Sequence, residues 1–129
     1  MAFYTAINCM DGRVQLPVIE YLMQRFGVEY IDSVTEPGPV KILAEQSDKA
    51  HLDSIFERVG ISTEKHGSHT IAICAHADCA GNPVDDETQK QQLQVSGDLL
   101  RSRYPEADVI QLWIDADWGV HEIVNYSKP

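Results

Sequence analysis

The octapeptide "HTIAICAH", His69–His76, is a dense apolar run in a chain whose acidic residues outnumber its basic ones by twenty to ten. It is far shorter than the roughly 20 residues of a membrane span, and it reads as a strand buried on both faces. Such a strand needs a neighbour on each side and helices above and below it. That requirement points to a parallel sheet covered on both faces.

The remaining segments fit this frame. Phe3–Asn8 reads as a first strand. Pro17 suits a first helical turn, after which Val18, Ile19, Leu22, Met23 and Phe26 form one apolar face and Gly27 stops the helix. Val28–Val34 reads as a second strand and "TEPGP", Thr35–Pro39, as a loop. A helical stretch then turns Leu52, Ile55, Phe56 and Val59 inward and ends near Val59, with Gly60 as its stop. Asp86–Tyr104 is a polar-faced helix with an interior Gly97, and Ala107–Ile114 is a fourth strand. "DADWGVHEIV" turns at Gly119 into a short edge strand. The expected fold is one α/β domain over residues 1–129, with a mainly parallel sheet of four to five strands and helices on both faces.

A length of 129 residues suits a single core, and 43% hydrophobic with 23% charged residues excludes wholesale disorder. The N-terminal "MAFYTAINC" lacks a basic region followed by a long apolar run, so a cytoplasmic location is expected. A formal charge of −10 with no Lys/Arg cluster repels nucleic acid and anionic membranes, and neither is expected as a partner. Three cysteines, an odd number, argue against a disulfide framework. They leave metal ligation, redox chemistry or burial.

Two short motifs follow strands. "AINCMDGR", Ala6–Arg13, places Cys9, Asp11 and Arg13 at alternate positions, which share one side of an extended chain. "CAHADCAGNP", Cys74–Pro83, places His76 and Cys79 three apart, a spacing that lets a turn aim both at one cation. In α/β sheets functional groups gather beyond the carboxyl ends of strands, where Cys9 and His76 both fall. Together Cys9, His76 and Cys79 make a Cys2His set that suits tetrahedral zinc with one position open. Either motif alone is a weak signal; both at strand ends of one domain are much stronger. Against this stand two buried thiols with a hydrogen-bonded histidine, or a Cys9–Cys79 redox pair. Asp11 and Arg13 have the plainer reading of a structural ion pair. A cysteine-phosphatase loop needs its arginine six residues after the cysteine, whereas Arg13 follows Cys9 by four. A haloacid-dehalogenase-type loop needs an aspartate where Cys9 stands. Cys74 reads as core, and His51, His66, His69 and His121 as surface or edge residues. Trp113 and Trp118 read as packing residues, and Asp78 and Asn82 as caps or backbone partners.

Cys9-Met10-Asp11-Gly12-Arg13 followed by His76-Ala77-Asp78-Cys79 resembles the zinc motif pair of the β-class carbonic anhydrases in order, strand context and separation. "DSIFERVGI" (Asp53–Ile61) is similar to the family's helix before the second motif, and "LWIDADWGVHEI" (Leu112–Ile123) to its closing strand and turn. The likeness spans most of the chain, but only the two motifs are specific. It implies Cys9, His76 and Cys79 as ligands of one Zn2+, with Asp11 and Arg13 as the catalytic dyad beside the fourth position. It implies reversible hydration of carbon dioxide, a small neutral substrate, to bicarbonate by a zinc-bound hydroxide. It also implies a homodimer, with Val40 and Ile42 as candidate lining of the contact.

In the family, the fourth position holds water or, in a closed state, the dyad aspartate. A noncatalytic zinc domain with Asp11 as fourth ligand is therefore an alternative, as is hydrolysis of carbonyl sulfide or carbon disulfide. Two thiolates and an imidazole cancel the formal charge of zinc. Its bound water should then ionise above the roughly 7 of a three-histidine site, and activity should rise on the alkaline side. Two departures stand out. Ala80 occupies the place of the family's glycine, with Gly81 one later, and Thr35-Glu36-Pro37-Gly38-Pro39 replaces the family's Ala-Arg-Asn-Ala-Gly segment.

Overall fold

Every residue of the strand β3 (Thr70–His76) is buried. It lies third in the five-stranded order β2-β1-β3-β4-β5 of a computed structural model that describes residues 2–127. β1 (Phe3–Cys9) pairs in parallel with β2 (Tyr30–Glu36) and with β3, and β3 pairs in parallel with β4 (Asp108–Ile114). Only the three-residue edge strand β5 (Val120–Glu122) is antiparallel, folded back on β4.

Strand alternation divides the core in two. Ile7, Ile71 and Ile73 face one side, while Ala6, Ala72 and Cys74 face the other. The helix α1 (Gln15–Phe26) covers the second side alone, burying Val18 and Leu22. On the first side lie α2 (Pro39–Glu45), α3 (Lys49–Gly60) and α4 (Asp86–Arg103), with Leu43, Ile55 and Leu93 in the core. The chain order explains this division. The chain steps from β1 outward to β2, then crosses back past β1 to β3 and onward to β4. Crossovers between parallel strands are right-handed, so steps in opposite directions cover opposite faces. The direction reverses between β1 and β3, and at such a switch point the carboxyl ends of the strands open a crevice.

Several boundaries differ from the sequence reading. β2 begins at Tyr30 and runs to Glu36, because Thr35 and Glu36 pair with Asn8 and Cys9. The expected five-residue loop shrinks to Pro37 and Gly38, since Pro39 already sits in the first turn of α2. The single expected helix is two helices. Gln46 takes a left-handed φ of 56° that ends α2, and the Asp48 side chain then caps α3 by accepting from the His51 N–H. Gly60 does not stop α3. It keeps helical dihedrals, and the chain continues into one π-helical turn, Ile61–Lys65. Tertiary bonds hold that turn: the buried Ser62 hydroxyl bonds Thr5 at 2.6 Å and Asp32 at 2.7 Å. The apolar stripe of α1 is narrower than its sequence suggests, since Met23 is exposed. Val40 is buried in its own core and so offers nothing to a second copy, while Ile42 is half-buried.

Candidate metal centre

Cys9 is the last residue of β1 and His76 the last of β3, so the two strands that flank the switch point each deliver one side chain to it. Cys79 returns from the loop after β3. The two sulfurs are 3.8 Å apart, and the nearest ligand atoms of all three residues lie within 4.8 Å of one another. Each of the three is at most 4% exposed. Both cysteines are free thiols. His76 Nδ1 lies 2.7 Å from the Ala77 carbonyl, an acceptor that fixes the proton on Nδ1 and leaves Nε2 as a lone pair. Among the described residues, His76 Nε2 is a buried polar side-chain atom without a hydrogen-bond partner.

These features match what a zinc ion requires. Two thiolates about 2.3 Å from a tetrahedral zinc sit about 3.8 Å from each other, which is the separation found here. An orphaned buried imidazole nitrogen costs free energy unless something coordinates it. The sulfur pair favours a single negative charge, carried by Cys9. Cys9 is pushed down to about 4, chiefly by the Cys79 thiol and then against burial by His76 and the Gly38 and Asp11 N–H groups. Cys79 is pushed up by Cys9 and by burial, so the pair shares one proton. Burial pulls the His76 imidazole down, but Cys9 and the Ala77 carbonyl outweigh it and the net shift is upward.

Asp11 and Arg13 meet beside the cluster by a different route from the one their spacing suggests. β1 ends at Cys9, and Asp11 caps a 3-10 turn, Gly12–Val14, by accepting from the Arg13 N–H at 2.9 Å. The turn, and not strand alternation, folds Arg13 back onto Asp11. Its Nε lies 3.1 and 3.2 Å from the two carboxylate oxygens and its Nη2 2.7 Å from Oδ2. This grip pushes Asp11 down to about 2, and the carboxylate stays outside the Cys–His–Cys cluster. The Gln15 amide fastens the motif from α1, donating to the Cys9 and Asp11 carbonyls at 2.7 and 2.8 Å. Asn8 ties the same loop to the Val14 carbonyl.

Other residues at this end escaped the sequence reading. Asp78 does not cap the backbone; its carboxylate accepts from Arg13 Nη1 at 3.2 Å and its carbonyl from Nη2 at 3.1 Å, on the far edge of the guanidinium from Asp11. Trp118 is not only packing, for its ring lies under the Arg13 guanidinium at 4.5 Å. The Pro37–Gly38 segment packs directly on the metal-motif loop. A Cβ on Gly81 would meet Pro37 at 2.7 Å, and one on Gly38 would meet Asn82 at 2.8 Å. The glycine displaced by one place is thus the residue over which Pro37 closes. Asn82 is not a cap either: its side chain donates to Gln92 Oε1 on α4, its carbonyl accepts from Gln89, and Asp85 caps α4. Cys74 lies in the core and is pushed up by burial. His51, His66, His69 and His121 are exposed and outside the cluster.

A doubly covered α/β sheet with Cys, His and Cys converging at its switch point defines a protein that could hold a metal ion at its strand ends. The family described as "Putative carbonic anhydrase" matches residues 1–124, and the chain belongs to that family. Among solved structures, the chain is similar to one reported as two tetrameric beta-carbonic anhydrases from the filamentous ascomycete Sordaria macrospora. The TM-score is 0.62 over 97% of this chain and 82% of that one, at 8% sequence identity. Among curated proteins none matches in sequence. The chain is therefore a divergent, β-carbonic-anhydrase-like member. Among the described residues, no helix is long and apolar enough to cross a membrane.

Proposed function

We propose that this protein catalyses the reversible hydration of carbon dioxide to bicarbonate, with Cys9, His76 and Cys79 holding one zinc ion. The observation that carries this reading is the buried, unpartnered His76 Nε2 facing two thiols whose separation suits zinc. When bound, zinc supplies Lewis acidity that makes water a nucleophile at moderate pH. Three protein ligands leave a position for an exchangeable one, as catalytic sites do. Asp11, held ionised by Arg13, accepts hydrogen bonds and does not donate them. Its role is to orient a proton-bearing nucleophile. Arg13 engages both Asp11 oxygens and keeps the carboxylate turned from the cluster. Burial of the three ligands suits a small substrate. A homodimer belongs to the same proposal, with the exposed Met10 and Leu16 beside the first motif as its apolar contact surface.

Zinc analysis and stopped-flow hydration on one preparation test this reading. The expected result is about one zinc per chain and hydration well above the uncatalysed rate. Arg13→Ala should keep its zinc but lose about 10–100-fold of the activity, the range typical of groups that support a metal site. A zinc-loaded protein that does not accelerate hydration would sink the catalytic reading and leave only metal binding.

A further inference from the structure

Trp118 stands in a place that packing alone does not explain. Its backbone φ is 65°, a left-handed conformation that bulky side chains rarely adopt and that surrounding structure must enforce. The enforcement comes from one carboxylate. Asp115, just past β4, accepts from the Asp117 and Gly119 N–H groups through Oδ1, both at 2.9 Å. Its Oδ2 lies 2.6 Å from His121 Nε2 on β5. Backbone bonds close the same turn, from Trp118 N–H to the Asp115 carbonyl and from Asp115 N–H to the Gly119 carbonyl, each 3.0 Å. The strained turn aims the indole at two things. Trp118 packs against the core cluster that contains Cys9 and Cys79, and the Arg13 Cζ lies over its ring, 4.5 Å from the centroid.

Arg13 needs such a support. Its guanidinium is nearly half exposed and stands between two carboxylates, Asp11 and the far more exposed Asp78. Ion pairs this exposed to water contribute little to holding a guanidinium in one orientation. A ring face against its plane restricts it to orientations that leave the edge free for hydrogen bonds, which is how the three Nε and Nη2 contacts to Asp11 are made.

We propose that Trp118, locked by the Asp115 turn, is a positioning residue that acts through Arg13. It keeps the Asp11 carboxylate on Arg13 and away from the open position beside Cys9, His76 and Cys79. Without the ring, Arg13 is free to swing onto its two Asp78 bonds alone, Nη1 to the carboxylate and Nη2 to the carbonyl, and Asp11 is released toward the cluster. The proposal rests on the zinc reading above, so its test separates the two.

The test uses cobalt(II) in place of zinc, with azide as the probe of an open coordination position. The parent and Trp118→Leu should take up equal cobalt. Azide should change the visible spectrum of the parent, and at least tenfold more azide should be needed in Trp118→Leu. Trp118→Phe, which keeps a ring face, should respond as the parent does, and the double variant Trp118→Leu/Asp11→Ala should recover the response. A Trp118→Leu protein as azide-sensitive as the parent overturns the proposal, and so does a parent that azide cannot perturb. If Trp118→Leu does not fold, Asp115→Asn, which loosens the turn but keeps the indole, carries the same expectation. If the parent takes up no cobalt, the zinc reading fails. The positioning role is then read in the metal-free protein from the Arg13 Nε–H proton. Loss of its exchange protection in Trp118→Leu supports the role, and an unchanged resonance overturns it.

Discussion

Cys9 and Cys74 are both buried thiols on adjacent parallel strands, and their surroundings give them opposite chemistry. Around the Cys9 sulfur stand a second thiol, an imidazole and backbone N–H donors that push its ionisation down. Cys74 meets only burial, which pushes it up. Thiolates are the metal ligands, so the two positions should respond differently to substitution. On the proposed zinc reading, Cys9→Ser is expected to lose zinc on gel filtration, and with it the folding free energy that a bound metal would supply. Cys74→Ala should keep full zinc and lose about 1–2 kcal/mol of stability, the cost of a small buried cavity. Metal analysis and urea unfolding on both variants decide the matter. At this scale the sequence was informative, because Cys9, His76 and Cys79 are residue types with few other uses at strand ends. The roles of Gly38, Asp78 and Trp118 were not visible, since each depends on a contact across 25 residues or more of chain.

Among the elements, two helical glycines separate local propensity from packing. Gly60 has helical dihedrals and open space where a Cβ would stand, so Gly60→Ala should stabilise by about 0.5–1 kcal/mol. Gly97 is the opposite case. A Cβ there would overlap the Gln111 Oε1 and lie 2.7 Å from its Cδ and 2.9 Å from its Cγ. Gln111 cannot swing aside freely, because it is buried and bonds Arg101, Gln94 and the Ile123 carbonyl. The overlap outweighs the propensity gain, and Gly97→Ala should cost about 1–3 kcal/mol. Thermal melts should therefore move in opposite directions by a few degrees for the two variants. Strand and helix identities followed from apolar periodicity, which is local. The misreadings have two sources: the split between α2 and α3 is a local cap, Gln46 in the left-handed region followed by Asp48, that apolar periodicity does not register, and the passage through Gly60 leads into a π-helical turn that tertiary bonds to Thr5 and Asp32 hold.

For the whole molecule, the sheet order explains why the site lies where it does. β1 and β3 are far apart in sequence but adjacent in the sheet, and the crossover direction reverses between them. Assembly is the open property at this scale. Met10 at 63% and Leu16 at 65% exposure flank the first motif, and a homodimer should bury them. Sedimentation velocity is expected to give a dimer mass, and Leu16→Glu to shift it toward monomer without loss of bound zinc. A species that stays monomeric across the micromolar range would count against the dimer. A tetramer, the state reported for the Sordaria macrospora structures, would mean that a second contact surface operates.

Residue order was enough to read the α/β class, the central strand and the three residues that converge as a possible metal cluster. Apolar period and residue type act over a few positions and need no knowledge of distant partners. Tertiary structure alone decided how the cluster is supported. The turn at Gly12–Val14 folds Arg13 onto Asp11, Pro37 closes over Gly81, and the strained Trp118 lies against Arg13 from the far end of the chain. The Arg13 turn is local but gives no sign in the apolar pattern, whereas the other two contacts depend on which strand ends the sheet order brings together, and that order is set by packing of the whole chain.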